Sequence, residues 1–490
     1  MEKFFKYPIL IIVAVTAVTV FFAFQIPKAE LNNDTAGFIP ANNEAYIISE
    51  HLDDTFGKQI SLFIGLERKY GDVFDKGFLT RIREFTDKVE DIEIVKDVVS
   101  ILTMPYITAD NESINITSLV DEDFSGTQGE IAELKRRLAS WELYQGSIIS
   151  DNFLATQILV SLNISMPDLS LPKTKKDIKT ICDSAREMFE DYAIVYLTGR
   201  PVMVQTMDEY MFTDLQVLIP LVIAVVLVVL FFSFRRFAYV ILPVLTVIIC
   251  VIWTIGLMPL FNVQLTVASI IMPIILIAVG SAYGIHIVSH YIYEARNKVL
   301  SNEEHRSLII SVLRKVIKPV TLAALTTAAG FVSFCFAPLG PLRDFGLFSS
   351  IGVFIALLIS LLLIPSLLIM RGPRIEKHTD EKRVSVIDTT LGNSLTVLAG
   401  KKAIIIALAV LIVVVSIYQL SNIVVDNSRV EYFYENTEIS RSDRFIRDFF
   451  GGTTQLTVAF EADTTEILLS PETLGAIDGL SAYLTERIPM

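Results

Sequence analysis

Residues 215–234 read LQVLIPLVIAVVLVVLFFSF, Arg235 and Arg236 follow, and residues 237–257 then read FAYVILPVLTVIICVIWTIGL. Neither run holds a charged side chain. At about 1.5 Å per residue each is long enough, as a helix, to cross roughly 30 Å of hydrocarbon. Two such helices separated only by a pair of arginines form a membrane hairpin. Working outward, further apolar runs occupy residues 8–24, 265–289, 316–336, 345–370 and 403–418, which makes seven expected spans. The composition agrees, with 52% hydrophobic and only 19% charged residues across 490 positions. An ordinary soluble enzyme and a disordered chain are both excluded.

Short flanking loops set the expected orientation, because Lys and Arg resist translocation. One side collects Lys3, Lys6, Arg235, Arg236, Arg296, Lys298, Arg306, Arg314, Lys315, Lys318, Arg371, Arg374, Lys377, Lys382, Arg383, Lys401 and Lys402, whereas the opposite short loops offer only Arg343. The amino terminus is therefore expected inside and the polar segments 25–214 and 419–490 outside. The net charge of −13 belongs to those exported segments, which carry about −15 and −7. They read as solvated acidic surfaces and give no support to nucleic-acid binding, which needs a basic stripe. The first run lacks small-residue cleavage chemistry at Phe21-Phe22-Ala23-Phe24 and reads as a retained anchor. Cys250 and Cys335 fall in expected spans and Cys182 alone lies in the first exported segment, so no disulfide framework can form there.

Within that segment, residues 59–66, 94–102, 156–164 and 193–197 are β-rich runs bounded by turn residues. Residues 78–89, 128–141 and 173–189 place apolar side chains at three- and four-residue spacing. The alternation predicts α/β units with helices packed on a sheet. An internal repeat extends this. Asn33-Asp34 through Phe56-Gly57 to Leu62–Glu67 recurs as Asn427-Ser428 through Phe450-Gly451 to Leu456–Glu461, at an offset of about 394. Each copy follows an apolar run, so a second unit starts near the seventh span, and the chain reads as a fragment that ends at Met490 before that unit is complete.

In the fourth span the chain carries Gly280-Ser281-Ala282-Tyr283-Gly284-Ile285-His286. In the fifth it carries Leu325-Thr326-Thr327-Ala328-Ala329-Gly330-Phe331, and Leu342-Arg343-Asp344-Phe345-Gly346-Leu347-Phe348 enters the sixth. With one span, a large exported domain, five close spans and a restart, these motifs resemble the resistance-nodulation-division (RND) exporters. The nearest branch is the one that includes the mycobacterial large membrane proteins (MMPL) and the hopanoid exporters. Spans two to six also resemble the sterol-sensing arrangement of eukaryotic relatives. The resemblance covers essentially the whole chain and is specific for the superfamily, not for a substrate.

What it implies is a polytopic α-helical membrane protein with a ferredoxin-like α/β porter-type domain, one half-repeat and the start of a second. The expected division is an anchor at 1–25, a porter-like domain at 26–214 and a five-helix bundle at 215–370. A cytoplasmic linker at 371–402, a seventh span at 403–418 and an incomplete second exported domain at 419–490 complete it. The implied function is secondary-active export of a lipid-like or amphipathic molecule, driven by an ion gradient and located in the cell membrane. The alternative is a non-transporting scaffold or lipid sensor of the same architecture. A protein-translocation accessory is a third class, disfavoured by the size of the exported domain. No phosphate loop, nucleophile elbow, HExxH or paired CxxC motif is found, so neither an enzyme nor direct ATP drive is expected. No cofactor and no metal is expected. Expected partners are the membrane, a lipid or hydrophobic small molecule, and either a homo-oligomer or a periplasmic protein.

Family members usually carry an Asp immediately before the Tyr of the fourth span, and this chain has Ala282. No Asp or Glu falls inside any expected span. The candidates for ion coupling are Ser281, Tyr283, His286, Thr326 and Thr327. Tyr283 either keeps half of a relay or satisfies its hydroxyl on a helix carbonyl. His286, with His290 and Glu294 on one helical face, is a candidate titrating group. Thr321, Thr326, Thr327 and Ser333 either bond back to their own helix or line a path. Gly280 and Gly284 form a small-xxx-small pair expected to admit a neighbouring helix. Residues 300–315 are expected to lie along the inner membrane surface.

Overall fold

The computed structural model describes residues 4–32, 43–57, 60–109, 114–121, 124–140, 144–165, 167–296, 298–373, 401–423, 433–453, 457–462 and 464–487. Most of the expected linker, and Asn33-Asp34 and Asn427-Ser428 of the repeat, lie outside the described residues. Helix α1 spans Pro8–Ala23, and α2 spans Glu44–Phe56. The extramembrane module follows in the order β1 Ile60–Arg68, α3 Lys76–Glu90, β2 Val95–Val99, β3 Pro105–Ala109, β4 Ile114–Ser118, α4 Gln128–Leu138, β5 Ala155–Leu162, α5 Pro172–Phe189 and β6 Ala193–Thr198.

Four strands form one sheet in the order β2-β5-β1-β6, antiparallel at every pairing. Strand β1 is interior, paired with β5 on one edge and β6 on the other. Leu62, Ile64 and Leu66 recur at the strand period of two and are fully buried on one face. Helices α3 and α5 cover that face. Phe78, Ile82, Phe85 and Val89 of α3 sit at the three- and four-residue spacing of one helical stripe, and Phe85 meets Phe189 of α5 at 5.5 Å between ring centres. Each such phenylalanine contributes roughly 2 kcal/mol by leaving water. The Asp75 carboxylate accepts from the Phe78 amide at 2.8 Å, which fixes where α3 starts. Cys182 of α5 faces this core, and burial pushes its thiol up to about 12, so it stays protonated and inert. The β3–β4 hairpin was not read from the sequence; it forms a separate two-stranded sheet.

Five helices among the described residues are long and apolar enough to cross a membrane, at Pro8–Lys28, Arg200–Phe234, Phe237–Phe261, Val267–Ala295 and Gly340–Arg371. The bundle is built from α6 Arg200–Phe234, α7 Phe237–Leu257, α8 Val267–Ala295, α9 Asn302–Val332 and α10 Gly340–Arg371, with α1 packed on α7 and α10. Each of α6 to α10 contains an internal proline, at Pro220, Pro243, Pro273, Pro319 and Pro365. Thr246 donates to the Pro243 carbonyl at 2.7 Å, which satisfies its hydroxyl within its own helix.

Residues 300–315 and 316–336 read as two elements in the sequence, but α9 runs unbroken from Asn302 to Val332. Ile309, Val312, Leu313, Val316, Val320, Ala324 and Ala328 make one buried stripe, and only a continuous helix can press all of it onto α8 and α10. The apolar run that begins at Leu215 is the later part of a longer helix. Pro201, Val204, Asp208 and Met211 are buried along one side of the first turns of α6, so the helix starts at Arg200 within the module. Beyond the bundle, α11 Lys402–Gln419 is apolar but shorter than the other spans and exposed along its length. Helices α12 Glu438–Phe450, α13 Thr465–Leu468 and α14 Pro471–Arg487 complete the described elements.

Candidate functional site

The fourth-span motif lies within the bundle, and its glycines bring α8 close to its neighbours. A Cβ on Gly284 would stand 2.7 Å from the Pro243 Cβ of α7, and one on Gly280 would stand 3.2 Å from Val247 of α7 and 3.3 Å from Ala356 of α10. In a bilayer, lipid tails compete equally for apolar side chains, so helices associate through such close backbone packing.

Tyr283 lies between these glycines and is only 3% exposed. Its hydroxyl has no hydrogen-bond partner of acceptable geometry, although Thr327 of α9 and Cys250 of α7 are near enough to influence it. The hydroxyls of Ser349 and Ser360 on α10 are buried and equally unpartnered. Around them the other polar groups are satisfied. Cys250 donates to the Gly352 carbonyl at 3.2 Å, and Thr254 donates to the Cys250 carbonyl at 2.8 Å. The result is a belt of neutral hydroxyls and a thiol through α7, α8 and α10. Leaving a buried hydroxyl unmatched costs on the order of 1–3 kcal/mol, which marks this belt as the polar feature of the bundle that packing alone does not explain.

The remaining candidates divide. Ser281 is buried but donates to the Ala278 carbonyl of its own helix at 2.9 Å. Thr326 and Thr327 both donate to the Ala323 carbonyl at 2.9 Å, and Ser333 donates to that of Gly330 at 2.6 Å, so three of the four hydroxyls read in the expected fifth span bond back. His286 and His290 sit on the exposed side of α8 and are not brought beside Tyr283. Sequence reasoning passed over Cys250, Thr254, Ser349 and Ser360. The i, i+4 spacing of Cys250 and Thr254 and the three-turn spacing of the serines were the available signals.

A second feature joins module to bundle. Lys175 of α5 pairs with Asp208 of α6 at 2.5 Å, with side-chain exposures of 24% and 9%, and Gln205 donates to the Lys175 carbonyl at 2.7 Å. On the other side, the segment after α1 is stitched to the α7–α8 connection. The Asn32 amide donates to the Leu265 carbonyl and the Leu265 amide to the Glu30 carbonyl, each at 2.8 Å.

A helical bundle of this kind, carrying an α/β module between its first two spanning helices, defines a multi-pass membrane protein. The chain belongs to the MMPL family, whose family model matches residues 101–391. It is also 26% identical over 209 residues to the membrane protein MJ1562 of Methanocaldococcus jannaschii, a match covering 42% of this chain and 52% of that relative. The match thus spans about half the length of the curated relative.

Proposed function

We propose that this chain forms half of an RND-type secondary exporter that moves a lipid-like or amphipathic molecule. The observation that carries the reading is α6. One helix runs from the end of β6 through the Lys175–Asp208 pair to Phe234, so the module cannot tilt without moving a bundle helix. Rigid-body rocking of one repeat against the other is how many alternating-access carriers work, and a module continuous with a bundle helix moves with its own repeat. The antiparallel order β2-β5-β1-β6, with α3 and α5 on one face, supports assigning 26–214 as a ferredoxin-like porter domain. In this reading 215–370 is the transport bundle, 371–402 a cytoplasmic linker, and 419–490 the start of a second porter domain.

The neutral belt around Tyr283 is assigned to the coupling path. It supplies hydroxyls that can hand a proton along. A lipid-sensing scaffold is the second reading, favoured by Ala282 in the family's Asp position. Loading the reconstituted protein with a fluorescent phospholipid analogue and imposing a pH gradient separates them. Gradient-dependent movement supports export, and binding without movement supports the scaffold.

The location is read as the cell membrane with the amino terminus in the cytoplasm. Tyr70 is 81% exposed on the module, so Tyr70→Cys reports which side it occupies. Labelling of intact cells by an impermeant maleimide supports this orientation; labelling only after lysis reverses it.

A further inference from the structure

The α/β module is held to the bundle at two places, and the start of α5 takes part in both. The first is α6 itself, whose Asp208 pairs with Lys175 of α5. Held by that helix alone, the module could still swivel about the helix axis. The second place lies off that axis and is built on the side chain of Asn32, in the segment after α1.

Both ends of the Asn32 amide are used. Its Oδ1 accepts from the Ser170 hydroxyl at 3.0 Å, and its Nδ2 donates to Gln264 Oε1 at 2.8 Å. Gln264 continues the series, donating from Nε2 to Glu30 Oε2 at 3.0 Å. Every donor meets an acceptor and the last acceptor is a carboxylate, so the bonds polarise one another and the final one is charge-assisted. Ser170, Asn32 and Gln264 are half-buried, which limits competition from water. Ser170 belongs to the module, in the short turn Pro167–Ser170 before α5, whereas Gln264 lies between α7 and α8.

The backbone stiffens the bundle side of this joint. Leu31, only 7% exposed, forms a parallel bridge with Leu265, flanked by the two main-chain bonds already described. Thr266 follows and caps α8: its amide donates to Ser269 Oγ at 3.2 Å, and the Ser269 amide donates to the Thr266 carbonyl at 2.8 Å. Both residues are buried, and only Thr266 separates Leu265 from the first residue of α8. Lys175 Nζ also reaches the Leu31 carbonyl at 3.5 Å, so one lysine touches both attachments.

We infer that Asn32 is a positioning residue that couples the module to α8: the start of α5, residues 30–32 and the first turn of α8 move as one body. A tilt of the module then displaces the helix that carries Gly280, Tyr283 and Gly284 by a route that does not pass through α6. The consequence for transport rests on the exporter reading above; the rigidity of the joint does not.

Nitroxides at Tyr70→Cys, 81% exposed on the module, and at Val267→Cys, 41% exposed at the start of α8, report the joint in the full chain in membrane vesicles. Cys335→Ala removes the native thiol that is only half-buried, and Cys182 and Cys250 are buried. The parent is expected to give one narrow distance, and Asn32→Ala a broad distribution. An unbroadened distance in Asn32→Ala would overturn the joint. Should that variant fail to fold, Ser170→Ala, which cuts only the module side of the series, decides in its place.

Ser170→Cys with Asn32→Cys then separates connection from fold. With these thiols reduced, gradient-driven movement of the fluorescent phospholipid analogue should fall about tenfold while its binding is unchanged, and oxidation to the disulfide should restore the parent rate. A disulfide that forms without restoring movement, or parent-like movement in the reduced pair, would overturn the coupling role. A parent protein that moves no analogue would count against the exporter reading instead, and the nitroxide distances still decide the joint.

Discussion

Gly284 of α8 and Pro243 of α7 meet so closely that a Cβ on the glycine would stand 2.7 Å from the proline Cβ and 2.9 Å from its Cα. Real Cβ atoms do not approach that far, and the proline ring cannot swing away. Gly280, one turn earlier, has more room and meets only the tips of Val247 and Ala356. The two helices are therefore pinned at Gly284 and merely adjacent at Gly280.

Gly284→Ala is expected to lower the melting temperature of the detergent-solubilised protein, with an overpacking cost of roughly 1–3 kcal/mol. Gly280→Ala is expected to cost clearly less. Equal losses at the two positions in a thermal-shift comparison would show that the pinning contact is not at Gly284.

Tyr283→Phe removes a buried hydroxyl that no hydrogen bond satisfies, so folding stability should be unchanged or slightly raised. Gradient-driven movement of the lipid analogue should nevertheless fall, because the hydroxyl rather than the ring belongs to the proposed path. Wild-type transport by a normally folded Tyr283→Phe protein would remove Tyr283 from the coupling path.

Asp208→Asn is expected to destabilise the junction by about 1–3 kcal/mol, since it leaves Lys175 half-buried without its counter-charge. Lys175→Met combined with Asp208→Leu should recover most of that loss by replacing the pair with apolar contact. A double-mutant cycle in urea reads this coupling directly, and additive losses would mean the ion pair is not what holds module to helix.

His305 is buried in the first half of α9, where its ring nitrogen meets the Tyr291 hydroxyl at 2.9 Å. Burial first, and the nearby Arg371 charge second, hold its pKa below the ordinary 6.5. The unfolded chain thus takes up a proton near pH 6.5 that the folded chain refuses. Stability from this residue is complete above about pH 6.5 and declines as pH falls toward the lower folded value. His305→Gln should flatten that part of the melting-temperature profile, and an unchanged slope would assign it to another group.

Much of this was legible in the chain because local chemistry decides it. An uninterrupted apolar run can satisfy its backbone in lipid only as a helix, which is why 237–257 matches α7 at both ends. Alternating and three-four patterns located β1, β5, β6, α3 and α5 because each of those elements buries one face on the same core. The motif glycines were read as packing positions from spacing alone, and both touch neighbouring helices.

Where sequence reasoning fell short, the deciding partner was distant in the chain. The start of α6 at Arg200 depends on what its polar first turns bury, and the unbroken α9 depends on α8 and α10 receiving one long stripe. The periodicity of 438–450 shows an amphipathic helix but cannot say that its apolar side lies on Phe63 and Tyr196, more than 200 residues away. Likewise, Thr327 and His286 are equally plausible beside Tyr283 in the sequence, and only packing puts the first near it and the second on the exposed side of α8. Hydrophobic pattern fixes which face of a helix must be covered. It carries no address for the cover, which is set by shape and polar matching between surfaces that meet only in the folded protein.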